Sequence, residues 1–217
     1  MAFTFFFRDP RALGLISKHV VPKLAGKKDI KIWDAGCAHG PEPYSLAITL
    51  REEMSHFMFR NVKIYATDID GSNLFENRIR EGVYSRIEIG RIPDSIKKRY
   101  FSQIGETEHF KIKDELRSRV NFLKHDLLSL KPAGGDFNLI VCKNVLLHFT
   151  PSQRLEVLKM FYNSLASDGF LVLERTQEIP ELFDNMFEKV SSGGQLFRKL
   201  KDTIKNNISF RNEISIN

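Results

Sequence analysis

The chain has 217 residues, of which 42% are hydrophobic and 28% charged, which is ordinary for a folded protein with a sizeable core. It contains no apolar run near the roughly 20 residues of a membrane-spanning helix, and its phenylalanine-rich start lacks the basic residues of a signal peptide. We therefore expect a cytoplasmic protein without membrane insertion. The net charge of +6 comes from short, scattered basic stretches. That pattern favours a solvated surface or an acidic protein partner over nucleic acid.

Hydrophobic periodicity predicts alternating helices and strands along the chain. The predicted helices cover residues 9–24, 42–57, 71–81, 93–101 and 151–166. Ser72 is the predicted N-cap of the helix at 71–81. The predicted strands cover residues 30–34, 62–67, 137–142 and 170–173. Residues 108–113 and 120–123 alternate like paired strands, which predicts a small antiparallel insertion over about 102–122. Residues 180–217 should hold one more helix and a closing antiparallel pair.

This alternation predicts one α/β domain over 1–217, built on a doubly wound, mostly parallel, Rossmann-like sheet with a small antiparallel β elaboration. The two cysteines, Cys37 and Cys142, lie beside predicted strand ends and form no C-x-x-C pair. We expect two buried thiols rather than a disulfide, and no metal site.

The most informative segment is the small-residue loop that follows the first predicted strand. It runs from Asp34 through Gly36 and Gly40 and opens the helix that begins near Pro43. A strand, a tight glycine loop and a helix in this order bring the backbone close to a nucleoside. The loop departs from G-x-G-x-x-G and lacks G-K-[ST], so it favours a ligand that has no phosphate at this point.

Three further groups follow predicted strands. Asp68 ends the second strand, where a carboxylate can hold a ribose diol or cap the next helix. Asp126 can meet an adenine amino group while Leu127 covers the ring, or it can simply form a turn. Lys143, Asn144 and His148 follow the strand at 137–142 and should reach the ligand cleft. Of these, His148 is a candidate general base, a hydrogen-bond donor or a structural residue.

The chain resembles the CheR-type chemotaxis receptor glutamate methyltransferases, which use S-adenosylmethionine. The resemblance covers nearly the whole sequence and rests on four segments in order. They are Phe6-Phe7-Arg8-Asp9, the loop from Ala35 to Ser45, Ala66-Thr67-Asp68-Ile69-Asp70 with Gly82-Val83-Tyr84, and Cys142-Lys143-Asn144-Val145-Leu146.

The resemblance implies a methyltransferase that binds S-adenosylmethionine, releases S-adenosylhomocysteine and modifies a carboxylate on an acidic or glutamate-bearing protein. It places the methionine part of the cofactor near Thr4 and Arg8, the ribose at Asp68 and the adenine between Asp126 and Leu127. The predicted catalytic residues are Arg8 and His148. The predicted cofactor-binding residues are Thr4, Arg8, Ala35, Gly36, Gly40, Glu42, Asp68, Ile69, Asp126, Leu127, Lys143 and Asn144.

The sequence also departs from the family pattern. The family's helical N-terminal domain is expected to be missing, because the Phe-Phe-Arg motif begins at residue 6. Lys143 replaces an arginine and His148 a tyrosine, and Gly105-Glu106-Thr107-Glu108-His109 replaces a glycine-rich receptor-tethering element. These departures leave a non-catalytic S-adenosylmethionine-binding or partner-binding module as the alternative. A nucleic-acid methyltransferase would suit the basic charge, but the chain has no Asn-Pro-Pro-Tyr-like element.

Overall fold

Two sheets form the framework of residues 4–200, the part of the chain that the computed structural model describes. The strands are β1 Ile30–Ala35, β2 Val62–Asp68, β3 Val83–Ser85, β4 Phe101–Gln103, β5 His109–Ile112, β6 Val120–Lys124, β7 Phe137–Cys142, β8 Leu165–Leu173, β9 Phe187–Lys189 and β10 Leu196–Lys199. The helices are α1 Pro10–Leu15, α2 Pro41–Glu53, α3 His56–Phe59, α4 Phe75–Glu81, α5 Asp94–Tyr100, α6 Asp114–Arg117 and α7 Pro151–Ser164.

The larger sheet has seven strands in the order β6-β2-β1-β7-β8-β10-β9. Strands β6, β2, β1, β7 and β8 pair in parallel, and β10 pairs antiparallel with both β8 and β9. Every residue of the central strand β7 is buried, as expected for a parallel strand that is covered on both faces. The predicted fold class is therefore confirmed, and so is the closing antiparallel pair.

The small antiparallel sheet has the order β3-β5-β4, so its first strand lies well before the predicted insertion at 102–122. The prediction that 120–123 belongs to this elaboration is wrong. Residues Val120–Lys124 form β6 and pair in parallel with β2, with Ile64 opposite Val120. Alternation alone could not distinguish the two pairings, because a short amphipathic strand carries the same pattern in either sheet.

Two further predictions need correction. Ser72 is not the N-cap of α4, which begins at Phe75; instead the Asp70 carboxylate accepts hydrogen bonds from the backbone N–H groups of Leu74 and Phe75, at 3.2 and 3.0 Å. In residues 180–200 the predicted last helix is only a 3₁₀ turn at Glu181–Phe183. Residues 201–217 lie outside the described part of the chain.

Other predicted elements are present with altered details. The predicted helix over 9–24 is capped by Asp9 and passes from α1 into a π turn and then a 3₁₀ turn that contains Pro22. Strand β8 is longer than predicted, since the turn at Asp168, with φ of 62°, forms a bulge inside it.

The core has two layers, one on each face of the main sheet. The face that carries α2 packs against the small sheet through Phe6, Tyr44 and Tyr84, and the other face is built around Trp33 and Phe161. Both cysteines are buried free thiols, as predicted, and burial raises the pKa of each. No helix between residues 4 and 200 is long and apolar enough to cross a membrane.

Candidate active site

The candidate site lies at the carboxyl ends of β1, β2 and β7. In the main sheet β2 lies on one side of β1 and β7 lies on the other, so the strand order reverses at β1. The loops that follow these strands diverge at such a point and leave a crevice. Two adjoining cavities of about 450 and about 280 Å³ occupy this crevice. Gly36, Asp68, Val145 and His148 line both of them.

The larger cavity collects most of the predicted site residues. Its lining includes Thr4, Arg8, Gly36, Glu42, Asp68, Lys143, Asn144 and His148. The smaller cavity is mainly apolar and is lined by the predicted residues Ile69, Asp126 and Leu127. Ala35 and Gly40 line neither cavity: Ala35 is buried at the end of β1, and Gly40 turns the chain into α2.

The loop after β1 needs glycine at Gly36. Its φ of 98° is one that side-chain-bearing residues rarely adopt, and an added Cβ would lie 2.1 Å from Val145 Cγ2. The N–H groups of Gly36 and Cys37 both donate to the Thr67 carbonyl, at 2.7 and 3.0 Å. The first loop is thereby held tightly against the end of β2.

Asp68 joins the first two loops of the crevice. One carboxylate oxygen accepts from the Ala38 N–H at 2.9 Å, and the other accepts from the Asp70 N–H at 3.1 Å. Asp70, and not Asp68, caps the following helix, so the capping alternative for Asp68 is wrong. Each carboxylate oxygen has a second lone pair, which leaves acceptor capacity toward the cavity.

Acidic groups are concentrated beneath the first loop. Asp34 is 1% exposed, and its Oδ2 has no hydrogen-bond partner among residues 4–200. Burial, together with the nearby charges of Glu42 and Asp68, holds the pKa of Asp34 well above its usual range. Burial also raises the pKa of Glu42 to about 7, although the charges of Lys143 and Arg8 oppose that rise.

These groups test whether the crevice suits a cationic, amine-bearing cofactor. The Thr4 hydroxyl, like Asp34 Oδ2, is buried without a hydrogen-bond partner in the described part of the chain. Buried polar atoms nearly always have partners, so a ligand with polar hydrogens would complete this site. A positive charge on the ligand would favour the ionised form of Glu42. The chemistry of the donors and acceptors therefore fits S-adenosylmethionine.

Two basic residues, Arg8 and Lys143, also line the larger cavity. The Lys143 ammonium forms an ion pair with Asp9, and the Lys143 side chain is only 8% exposed. Burial would raise the pKa of Asp9, but Lys143 and the Ala12 N–H lower it below its ordinary value. Asn144 adopts a φ of 59°, and its N–H donates to the Glu174 carboxylate.

The N-terminal segment is held at the larger cavity by ring contacts of Phe6 and a backbone hydrogen bond of Phe7. Phe6 packs edge-on against Tyr84 and Phe101 of the small-sheet region, with ring centroids 4.9 and 5.7 Å apart. The Phe7 N–H donates to Ser45 Oγ at 2.8 Å, and Ser45 Oγ donates to a carbonyl of α2. These contacts position the backbone of Arg8 at the mouth of the cavity.

The structure also adds residues that sequence reasoning missed. The apolar lining includes Val145, Leu147 and Phe149, which adjoin Asn144 or His148 in the chain, and Leu128, which follows Leu127. The sequence signal that could have identified these lining residues is their position beside the residues selected at the strand ends. Asp126 keeps both of its interpretations, because it lines the smaller cavity and its Oδ1 also accepts from the Leu128 N–H at 2.8 Å.

The family profile described as "CheR methyltransferase, SAM binding domain" matches residues 2–196. The chain belongs to the CheR methyltransferase family. It is 35% identical over 184 residues to a chemotaxis protein methyltransferase of Borreliella burgdorferi, covering 81% of this chain and 64% of that relative. It is 33% identical over 201 residues to one from Vibrio parahaemolyticus, covering 91% and 72% respectively.

The chain therefore spans only 64% to 72% of the length of these two relatives. Among solved structures, the N-methyltransferase NodS from Bradyrhizobium japonicum is a distant likeness, with a TM-score of 0.45 and 17% identity over 89% of this chain and 87% of that chain. The family match confirms three predictions: membership of the CheR-type methyltransferases, the S-adenosylmethionine-binding domain and the cofactor itself.

Proposed function

We propose that this domain transfers the methyl group of S-adenosylmethionine to a carboxylate oxygen of a glutamate-bearing protein. The observation that carries this proposal is the pair of charge types in the larger cavity. Two acidic residues, Glu42 and Asp68, line it together with two basic residues, Arg8 and Lys143. A cationic cofactor suits the acidic residues, and an anionic acceptor suits the basic residues.

On the cofactor side, each group has a role that its surroundings support. Glu42 would attract the cationic end of the cofactor, and the unpartnered Thr4 hydroxyl would accept a hydrogen bond from its amino group. Asp68 would accept from the ribose hydroxyls. The adenine would occupy the apolar cavity between Ile69 and Leu127, since that cavity adjoins Asp68 and has few polar groups.

When bound, S-adenosylmethionine supplies a methyl group that an acceptor oxygen takes up as the carbon–sulfur bond breaks and its electron pair stays on sulfur. An ionised glutamate carries no proton to be removed, so this step needs alignment rather than a general base. Arg8 would orient the carboxylate through its planar fork of donors. His148, at the exposed wall, would then shape and hydrogen-bond the acceptor rather than deprotonate it.

The alternative is a module that binds S-adenosylmethionine without turnover, and one observation favours it. The ammonium of Lys143 is already paired with Asp9. Lysine also lacks the bidentate fork of the arginine that the family pattern has at this position. If binding of the acceptor carboxylate required both Arg8 and Lys143, the pairing of Lys143 with Asp9 would weaken that binding.

The proposal is tested by binding followed by transfer. Calorimetry should detect S-adenosylmethionine binding to the wild-type chain, and tritiated methyl label should then pass to glutamate-containing peptides. The label should be released as volatile methanol in alkali, as a methyl ester is, and should remain bound if nitrogen was methylated. We expect Arg8→Ala to keep cofactor binding within a fewfold and to reduce transfer by about 100-fold.

Arg60→Ala is the matched control, because Arg60 lies before β2, at the opposite end of that strand from the cleft. It should leave both measurements unchanged. Binding without any transfer would support the non-catalytic module. Absence of binding would refute the proposal, and label that enters RNA or DNA would overturn the protein carboxylate as acceptor.

A further inference from the structure

A third cavity, of about 250 Å³, lies beside the cleft on the far side of the Asp9–Lys143 ion pair. It is formed by α1, the end of β8 and the start of β10. Its lining includes Arg11, Leu15, Val172, Arg175, Gln195 and Leu196. Asp9 lines this third cavity and Lys143 lines the larger cavity of the cleft, so their ion pair separates the two cavities.

The charges of this cavity are unbalanced. Arg11 and Arg175 are both exposed, and neither forms an ion pair with any of residues 4–200. The nearby acids are already engaged, because Asp9 pairs with Lys143 and the buried Glu174 carboxylate accepts from the Asn144 N–H. Two exposed arginines that have no ion pair among residues 4–200 therefore line the cavity.

Gln195, which also lines the cavity, has an unused hydrogen-bond acceptor. Gln195 Nε2 donates to the Arg175 carbonyl at 3.3 Å, which orients the amide. Gln195 Oε1 is buried and has no donor among the described residues. The floor is apolar, formed by Leu15, Val172 and Leu196. An unpaired amide oxygen in such a place is costly unless a ligand supplies an N–H group.

We propose that this cavity, the Arg11–Arg175 groove, docks a second acidic residue of the acceptor polypeptide while its target glutamate enters the cleft. The inference rests on the proposed function, since it names a further contact of the same acceptor. Arg11 and Arg175 hold the flanking carboxylate, and Gln195 Oε1 accepts from a peptide N–H. A nucleic-acid backbone would satisfy the arginines, but its phosphodiester links carry no N–H for Gln195.

The test uses fluorescein-labelled, alanine-based peptides with two glutamates separated by one to six residues. Each has a partner peptide in which one glutamate is replaced by glutamine. Anisotropy in saturating S-adenosylhomocysteine should show that wild-type protein prefers the two-glutamate peptide at one of these spacings. In the double variant Arg11→Gln/Arg175→Gln, affinity for that peptide should fall by about tenfold or more, because charge-assisted hydrogen bonds are lost. Affinity for S-adenosylmethionine should stay unchanged.

The control variant Lys28→Gln/Arg60→Gln removes the same charge at the opposite end of the sheet and should keep the preference. Three peptide results would overturn the groove: wild-type protein shows no preference for a two-glutamate peptide, the double variant keeps that preference, or the control variant loses as much affinity as the double variant. Groove-dependent binding of single-stranded oligothymidine that is tighter than peptide binding would also overturn it. Methyl transfer to the same peptides separates the two proposals. Transfer that ignores the second glutamate overturns the groove alone, and a groove-dependent preference without transfer overturns catalysis alone.

Discussion

Glu42 should make cofactor binding depend on pH. Burial raises its pKa to about 7 in the unliganded chain, so the carboxyl group is about half protonated at neutral pH. A cationic cofactor favours the ionised form and lowers this pKa in the complex. Binding must therefore release protons. Affinity should be greatest above pH 7 and should fall as the pH drops through 7.

The size of the effect follows from a single ionisation. With a pKa of about 7, the apparent Kd rises about twofold at pH 7 and about elevenfold at pH 6, relative to its high-pH value. About half a proton should leave per cofactor bound at pH 7. Glu42→Gln keeps the shape of the side chain and removes its charge, so the variant should bind more weakly at pH 7.5 and show little of this slope.

Calorimetry between pH 5.5 and 7.5, in buffers of different ionisation enthalpy, measures both the slope and the proton release. Glu53→Gln is the control, because Glu53 is exposed on the same helix, α2. It should keep the wild-type slope. A wild-type affinity that is flat over this range, or an equal slope in Glu42→Gln, would refute the reasoning.

The same raised pKa predicts an effect on folding. The pKa of Glu42 is higher in the folded chain than its ordinary 4.5, so its stabilising contribution is complete below pH 4.5 and is lost as pH rises through 7. At pH 8 the ionised group destabilises the fold. Glu42→Gln should then raise the free energy of unfolding by about 2 kcal/mol, a figure below the full shift because the side chain is partly exposed. Urea denaturation at pH 8 and pH 5 measures the difference.

Three other substitutions test the geometry of the cleft. Gly36→Ala should weaken cofactor binding by about tenfold or more and lower the free energy of unfolding by about 1–3 kcal/mol, because its positive φ and close neighbour leave no room for a methyl group. His148→Asn should leave the pH dependence of transfer unchanged, since a carboxylate acceptor needs no base. Ser45→Ala should lower stability by about 1–2 kcal/mol and slow transfer more than it weakens cofactor binding, because the Phe7 N–H loses its acceptor.

Each of these has its own check. Gly14→Ala is the control for Gly36→Ala, because a methyl group at Gly14 meets nothing within 4 Å and should be tolerated in α1. If the transfer rate of the wild type falls at low pH and that of His148→Asn does not, His148 acts as a base. If Ser45→Ala lowers cofactor affinity and transfer equally, Ser45 serves the cofactor side and not the placement of the N-terminal segment.

The parts of the fold that sequence could predict are those with a local cause. The apolar run at 137–142 forms a fully buried strand, as such a run does in a sheet covered on both faces. Pro151 opens α7, as a proline in the first turn allows, whereas α2 begins at Pro41 and not near Pro43 as predicted. Residues 120–124 were misassigned because their partner is β2, more than fifty residues earlier, and alternation does not specify a partner. The cap of α4 was misassigned because Asp70 and Ser72 are both good capping residues, and only the backbone path selects Asp70.

For the cleft, strand ends and loops brought most of the predicted residues to one place. What could not be predicted is how the charges pair. The ion pair between Lys143 and Asp9 joins positions 134 residues apart, and the raised pKa of Glu42 depends on how deeply the loops bury it. Gly40 was predicted as a cofactor contact from the loop pattern. That contact stays a prediction, and an added Cβ there would lie 2.3 Å from the Tyr84 hydroxyl, so packing against the small sheet already requires glycine.

The cofactor-binding loops and the proposed acceptor-binding residues of the cleft are built by different means. The cofactor side depends on backbone: Gly36 and Cys37 bond to the end of β2, and Asp68 ties the loops together. On the function proposed above, the acceptor side depends on side-chain charge at Arg8 and Lys143. A replacement there alters which acceptor is held without disturbing the loops. The departures at Lys143 and His148 therefore leave the cofactor-binding loops intact, and the peptide experiments would measure whether a glutamate is still the acceptor.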